Sequence, residues 1–127
     1  VENIKTTTQL CRIVEEICHW RPQKGKIHPA AKVFQAIRIE VNQELKSLSN
    51  FLEKISQKIP KKTRIAAISF HSLEDRIIKH TFAQLAISTN SYPFLKILTK
   101  KPIVPSEEEV ALNSRARSAK LRVAERI

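Results

Sequence analysis

Between Ser69 and Arg76 the chain reads Ser-Phe-His-Ser-Leu-Glu-Asp-Arg, which brings a histidine, a hydroxyl pair, two carboxylates and a guanidinium into one short block. These are groups that move and hold protons. His71 can donate or accept a proton, Glu74 and Asp75 accept one or anchor a cation, and Ser72 offers a hydroxyl. The block follows a short β-type run, residues 64–70, so His71 and Ser72 stand at the carboxyl end of a strand. Open α/β sheets bind their ligands at that edge. The plainer reading is that Ser72 and Asp75, three apart, form a capping box and open a helix through about Ala86, with Glu74 and Arg76 solvated. Both readings place the residues identically and differ in whether a ligand meets them.

A second polar set is His28-Pro29 followed by Phe34, Gln35, Arg38 and Asn42. Gln35, Arg38 and Asn42 fall near one helical face, beside an apolar stripe. Such groups either reach a pocket or bond to neighbouring loops. A third set is cationic: Lys100, Lys101, Arg115, Arg117, Lys120, Arg122 and Arg126, with a further cluster of Lys54, Lys58, Lys61, Lys62 and Arg64. Clustered Arg and Lys suit phosphate contacts. With 23 Lys plus Arg against 12 Asp plus Glu, the formal net charge is +11 and the pI about 10.1, so an anionic partner, RNA or DNA, is expected. No zinc-finger, helix-turn-helix or aromatic RNA-recognition signature is present. His19 and His80 stand alone, so no metal site is expected. Cys11 and Cys18, seven apart on a helix, lie about 10 Å apart along its axis, too far for a disulfide. They read as buried thiols of a reducing compartment.

The elements that must position these groups follow from pattern. The 127 residues, 42% hydrophobic, allow one modest domain with a core and exclude wholesale disorder. No apolar run approaches the ~18 residues of a membrane span, and no membrane partner is expected. Gly25 is the only glycine, so a Gly-rich phosphate or dinucleotide loop cannot be built from these residues. There is no methionine and the chain opens on Val1, which reads as a processed chain or a piece of a longer one. Thr6-Thr7-Thr8 offer caps to a first helix carrying Leu10, Ile13, Val14 and Ile17, ending before Pro22; Arg21–Lys26 is a polar linker. Pro29 opens a longer helix over residues 30–57, striped by Phe34, Ile37, Val41, Leu45, Leu48, Leu52 and Ile55 and stopped by Pro60. A strand at 64–70, the helix after it, a polar loop at 88–93 and a strand at 94–99 come next. Ser106 and Glu109 then cap a short helix ending near Asn113, and Ser118–Ile127 forms a last strand. A helix between strands argues for an α/β sheet, with an all-helical domain the lesser alternative.

Four blocks, IHPAAKVFQAIRIEVNQEL (27–45), ISFHSLEDRIIK (68–79), LTKKPIVPSEEE (98–109) and RARSAKLRVAER (115–126), together with KTTTQL (5–10), closely resemble the RsmH (MraW) family, of whose length they cover only the C-terminal part. That family comprises S-adenosyl-L-methionine-dependent methyltransferases of the N4 of a cytidine in small-subunit ribosomal RNA. The resemblance implies the C-terminal part of a class I, Rossmann-like methyltransferase sheet. Residues 1–27 would end an inserted helical domain and 28–127 form the C-terminal half of the methyltransferase domain. The three strands would be its fifth, sixth and seventh, the last antiparallel between the other two. It also implies catalytic roles for His71, Ser72, Glu74 and Asp75, and substrate contacts from His28, Phe34, Gln35, Arg38, Asn42 and Arg76. RNA contacts would come from Lys100, Lys101, Arg115, Arg117, Lys120 and Arg122. The cofactor would be bound mainly by residues absent from this chain, which would be inactive without that N-terminal half or a partner supplying it. Ribosomal RNA is the expected partner, homo-oligomerisation is allowed, and the expected location is cytoplasmic or an organellar matrix. The chain departs from the family at Pro60-Lys61-Lys62-Thr63, a turn that usually carries glycines, at Ala31 for a usual Thr and at Ser114 for a usual Pro. The rival readings are a non-enzymatic RNA-binding module and a structural fragment that completes a partner chain.

Overall fold

A helix starts where a side chain can take backbone N–H groups that no preceding turn satisfies. In the computed structural model, which describes residues 3–87 and 94–127, Thr6 does this for α1 (Thr7–Ile17). Its hydroxyl accepts from Gln9 N at 3.2 Å, and Gln9 Oε1 accepts from Thr6 N at 3.1 Å, closing a capping box. The chain divides into two compact units, Val1–Gln43 and Glu44–Ile127.

The first unit holds α1 and α2 (Ala30–Asn42). His28 links them: its Nε2 meets Glu15 Oε1 at 2.8 Å, and its ring lies 4.2 Å from that of Trp20, centroid to centroid. α1 buries none of its residues. Cys11 is therefore half-buried and Cys18, at the helix end, is exposed, so the expected burial of both thiols does not hold.

The single helix expected over 30–57 is two helices. Gln43 adopts a left-handed conformation at φ 51°, and its backbone N–H turns back onto the carbonyls of Glu40 and Ile39 to close α2. The stripe looks continuous because its spacing of three and four persists across the break. It is not one buried face, since Ile37 and Val41 remain exposed.

The second unit contains α3 (Glu44–Lys58), β1 (Arg64–Ser69), α4 (Ser72–Ala86), β2 (Leu95–Ile97), α5 (Glu107–Leu112) and β3 (Lys120–Arg126), with a 3₁₀ turn at Ser114–Ser118 that the sequence did not announce. The sheet order is β1-β3-β2, and β3 runs antiparallel to both neighbours, as the family resemblance implies. β1 and β2 therefore point the same way, and their carboxyl ends share one edge.

Alternation along the strands sorts the sheet into two faces. Ile65, Ala67 and Ser69 of β1, in register with Ala124, Arg122 and Lys120 of β3, lie toward α4. Leu52 of α3, Ile78 and Phe82 of α4, Leu95 and Ala124 form the core, with Leu48, Leu85, Phe94 and Ile97 packed against it. Burying an aliphatic or aromatic side chain of this size contributes about 1.5–3 kcal/mol, so these few residues set the position of α4 over the sheet. The other face is bare by comparison: Ile68 is 60% exposed and Ile103 and Val104 stand beside it. No helix among the described residues is long and apolar enough to cross a membrane. The polar loop expected at 88–93 lies outside the described residues.

Candidate functional site

The block Ser69–Arg76 does leave β1 at the carboxyl edge of the sheet, and it opens α4. The cap, however, is His71 with Glu74, one residue before the Ser72–Asp75 pair that the spacing proposed. An imidazole nitrogen accepts an amide N–H as a hydroxyl does. His71 Nδ1 accepts from Glu74 N at 3.2 Å, and Glu74 Oε2 accepts from Phe70 N at 2.9 Å and from His71 N at 3.4 Å. Ser72 is then the first helical residue and stays exposed, as does Arg76.

This cap fixes the chemistry of His71. With its Nδ1 lone pair engaged, the neutral ring carries its proton on Nε2. Nε2 is buried, 3.3 Å from Glu74 Oε1, without the alignment of a hydrogen bond. A buried polar atom left in this state needs a reason, and a catalytic role is one. Glu44, the first residue of α3, brings a third group: one ligand atom each from Glu44, His71 and Glu74 lies within 4.8 Å of the others. Two carboxylates and an imidazole are cation ligands by type. A cation on Nε2, however, needs the lone pair that the capping tautomer replaces with a proton. The arrangement as built handles a proton.

Asp75 takes a different part. Arg122 Nε donates to its Oδ1 at 2.7 Å and Arg122 Nη2 to its Oδ2 at 3.2 Å, with Lys120 Nζ 3.7 Å away. The hydrogen bond from Arg122 holds the Asp75 carboxyl below its ordinary value, against the opposing effect of burial, with the charges of Arg122 and Lys120 adding to the lowering. Both oxygens are occupied, so Asp75 ties the start of α4 to β3. Arg122, expected among the phosphate contacts, is instead buried in this pair, because its position in β3 faces the helix. Lys100, Lys101, Arg115 and Arg117 are exposed and Lys120 half-exposed, in the segments that precede β3 or follow β2 at the same edge.

In the first unit, Phe34, Gln35 and Arg38 line one open groove of about 610 Å³ with Ile27, Ala31 and Lys32. His28 and Asn42 are outside that lining. His28 instead accepts from Ala30 N through Nδ1 at 3.1 Å and serves the start of α2. Two residues of the edge escaped sequence reasoning. Phe70, 56% exposed beside His71, was signalled by alternation, which puts it with Ala66 and Ile68 on the bare face. Glu44 had no local signal, because the helix break that makes it the first residue of α3 was not visible.

A three-stranded sheet with helices packed on one face defines an α/β protein, and the His71–Glu74 pair lies at the carboxyl edge of its first strand. The whole chain, residues 1–127, matches the model described as the MraW methylase family, and the chain belongs to that family. Ribosomal RNA small subunit methyltransferase H of Trichodesmium erythraeum is 50% identical over 124 residues, 98% of this chain and 41% of that protein. The proteins of the same name from Nostoc sp. and Sulfurihydrogenibium sp. are 50% and 52% identical, over 95% and 99% of this chain and 38% and 42% of their own lengths. The chain thus spans about 40% of the length of the curated relatives it matches.

Proposed function

We propose that the chain is the substrate-side portion of a methyltransferase that acts on the N4 amine of a cytidine in small-subunit ribosomal RNA, with S-adenosylmethionine as methyl donor. The observation that carries this reading is the His71–Glu74 pair at the carboxyl edge of β1, in a chain whose relatives are named as small-subunit ribosomal RNA methyltransferases.

A cytosine amine is a poor nucleophile because its lone pair is drawn into the ring. The protein must orient it and accept the proton it loses. Glu74 is the acceptor: Oε2 is held by two backbone N–H groups, and Oε1 faces His71. His71 is the donor beside it, its buried Nε2 able to align with Glu74 Oε1 and hold that carboxylate in place. Ser72 offers an exposed hydroxyl at the same edge, and Arg76 an exposed cation. Asp75, through Arg122, is the positioning residue that holds this edge still. The groove of Phe34, Gln35 and Arg38 offers a ring and polar groups to a base. Lys100, Lys101, Arg115, Arg117 and Lys120 supply phosphate contacts.

The residues present do not fit the methyl donor. Gly25 is the one glycine and stands in open space at φ 81°, so these residues build no glycine-rich loop to wrap a donor. In this reading the donor is held by family sequence beyond these 127 residues, and the chain's share is the substrate. The test is a family-length relative carrying this segment in place of its own. His71→Ala and Glu74→Gln should each lower kcat by about 100-fold or more, with ribosomal RNA affinity retained. Wild-type turnover in both would overturn the assignment. Calorimetric titration of the isolated chain with S-adenosylmethionine should show no binding, and micromolar binding would contradict the division of labour.

A further inference from the structure

We propose that the end of the second unit opposite the His71 edge is a landing surface for an unpaired stretch of RNA, with Phe51 stacking on a base and Lys54, Lys58, Lys61 and Lys62 meeting phosphates. The inference rests on the reading that the partner of this chain is RNA, and it adds a contact remote from the candidate chemistry.

The register of β1 on β3 fixes the two ends. Ser69 pairs with Lys120 at the His71 edge, and Arg64 pairs with Glu125 at the other. At about 3.4 Å per residue the two rows are roughly 17 Å apart. α3 runs out toward the Arg64 row: Lys58 is its last residue, and the turn Pro60–Thr63 leads into β1. That turn is clamped to β3, because Lys62 N donates to Arg126 O at 2.7 Å and Arg126 N to Thr63 O at 2.8 Å. Lys54, Lys58, Lys61, Lys62, Arg64 and Lys96 are all exposed here, and Arg64 and Lys96 flank Glu125 in the neighbouring strands. Arg64 Nε lies 3.1 Å from Glu125 Oε2. None of the five lysines forms an ion pair with a carboxylate of the described residues.

Two features make this more than a solvated face. Lys62 sits at φ 67°, a left-handed conformation that glycine adopts freely and a lysine only with strain. The bonds that clamp the turn use its backbone alone, so what the lysine side chain adds is its charge. Phe51, 60% exposed, is three residues before Lys54 and seven before Lys58, hence on the same face of α3. An exposed ring continuous with a row of unpaired cations fits an unpaired nucleotide chain: the base stacks and the phosphates meet the ammonium groups. Duplex RNA would use the cations and offer no open base to the ring. An acidic protein surface would likewise leave the ring in water.

The experiment titrates the chain with a labelled unstructured oligouridylate and with a duplex RNA of equal length, across a range of salt. The triple variant Lys58→Gln/Lys61→Gln/Lys62→Gly should flatten the salt dependence of oligouridylate binding by about two units of slope, at roughly 0.7 per lost contact. Phe51→Ala should weaken oligouridylate roughly tenfold or more and leave the duplex unchanged. All four positions are exposed, so far-ultraviolet circular dichroism should not change. An unchanged slope in the triple variant overturns the proposal. So does equal weakening of duplex and oligouridylate by Phe51→Ala, or preferential binding to anionic lipid vesicles. Lys100→Gln/Lys101→Gln is the control at the other edge. If it flattens the slope while the triple variant does not, this landing surface fails and the RNA reading stands. If neither changes the slope, the RNA reading fails with it.

Discussion

His28 and His71 stand at the starts of two helices, one in each unit, and are built alike. Each takes a backbone N–H with Nδ1, from Ala30 and from Glu74, and each turns Nε2 toward a glutamate. They differ in where the glutamate comes from. Glu15 belongs to α1, thirteen residues earlier, and meets His28 at 2.8 Å, with Trp20 against the ring. That bond joins two elements, and the imidazole is spent on structure. Glu74 is on the same turn as His71, at 3.3 Å and out of line, so the buried Nε2 keeps an unmade bond. His28, one residue before Pro29, the N-cap of α2, uses its second nitrogen to link two elements and is a staple, whereas His71, the true cap of α4, has a second nitrogen that makes no hydrogen bond.

The largest test of this contrast is the anchor that one site has and the other lacks. Arg122→Ala would leave Asp75 buried without its bidentate partner, and breaking such a pair costs about 3–5 kcal/mol. Against a typical total of ~5–15 kcal/mol for a domain, urea unfolding of the variant should move to much lower midpoint. A shift below about 1 kcal/mol would show that α4 is held by its core contacts alone. The same pair gives an acid limb. Asp75 binds its proton less readily folded than unfolded, so its contribution is fully present above the ordinary carboxylate value near 3.8 and is lost as pH falls through its lowered folded value. Asp75→Asn should flatten that part of the stability curve, and an unchanged acid limb would refute the assignment.

His28→Ala and His71→Ala separate the two roles directly. Loss of the His28 bond to Ala30 N and of its link to Glu15 should cost about 1–2 kcal/mol within the first unit. It should be visible as faster amide exchange over Thr7–Ile17 and Ala30–Asn42, with little effect on RNA affinity. His71→Ala should cost about 1 kcal/mol as a lost cap, while abolishing most turnover in the family-length chimera. Equal losses of turnover from the two would break the contrast.

How much of this was legible follows the range of each interaction. The β1–α4–β2–β3 order and the final strand were readable because alternation and caps are local signals. The family resemblance supplied the antiparallel placement of β3. The helix break at Gln43 was not readable, since glutamine carries no mark of a left-handed residue and the apolar spacing runs through it. The burial of Arg122 was missed for the same reason that Asp75 was read as catalytic. Their pairing spans 47 residues, and neither type announces a buried partner. The cap lies one residue earlier than the Ser72–Asp75 spacing suggests because His71 Nδ1 accepts the Glu74 amide, a role the residue type does not announce.

The smallest effect sharpens the contrast between structure and chemistry at a single backbone angle. Lys62 at φ 67° and Gln43 at φ 51° both occupy the left-handed region without being glycine. Relief of that strain by Lys62→Gly should raise stability by about 1 kcal/mol, less what the glycine adds to unfolded-chain entropy. Thermal unfolding should rise by a few degrees. Gln43→Gly should gain less, because the Gln43 side chain donates to Glu40 O at 2.8 Å and that bond would be lost. If the Lys62 charge is what the strained turn exists to present, only Lys62→Gly should trade stability for weaker RNA binding. A Lys62→Gly variant destabilised by the full ~0.4–1 kcal/mol that an added glycine costs would mean the turn carries no strain. The charge at position 62 would then need no functional explanation.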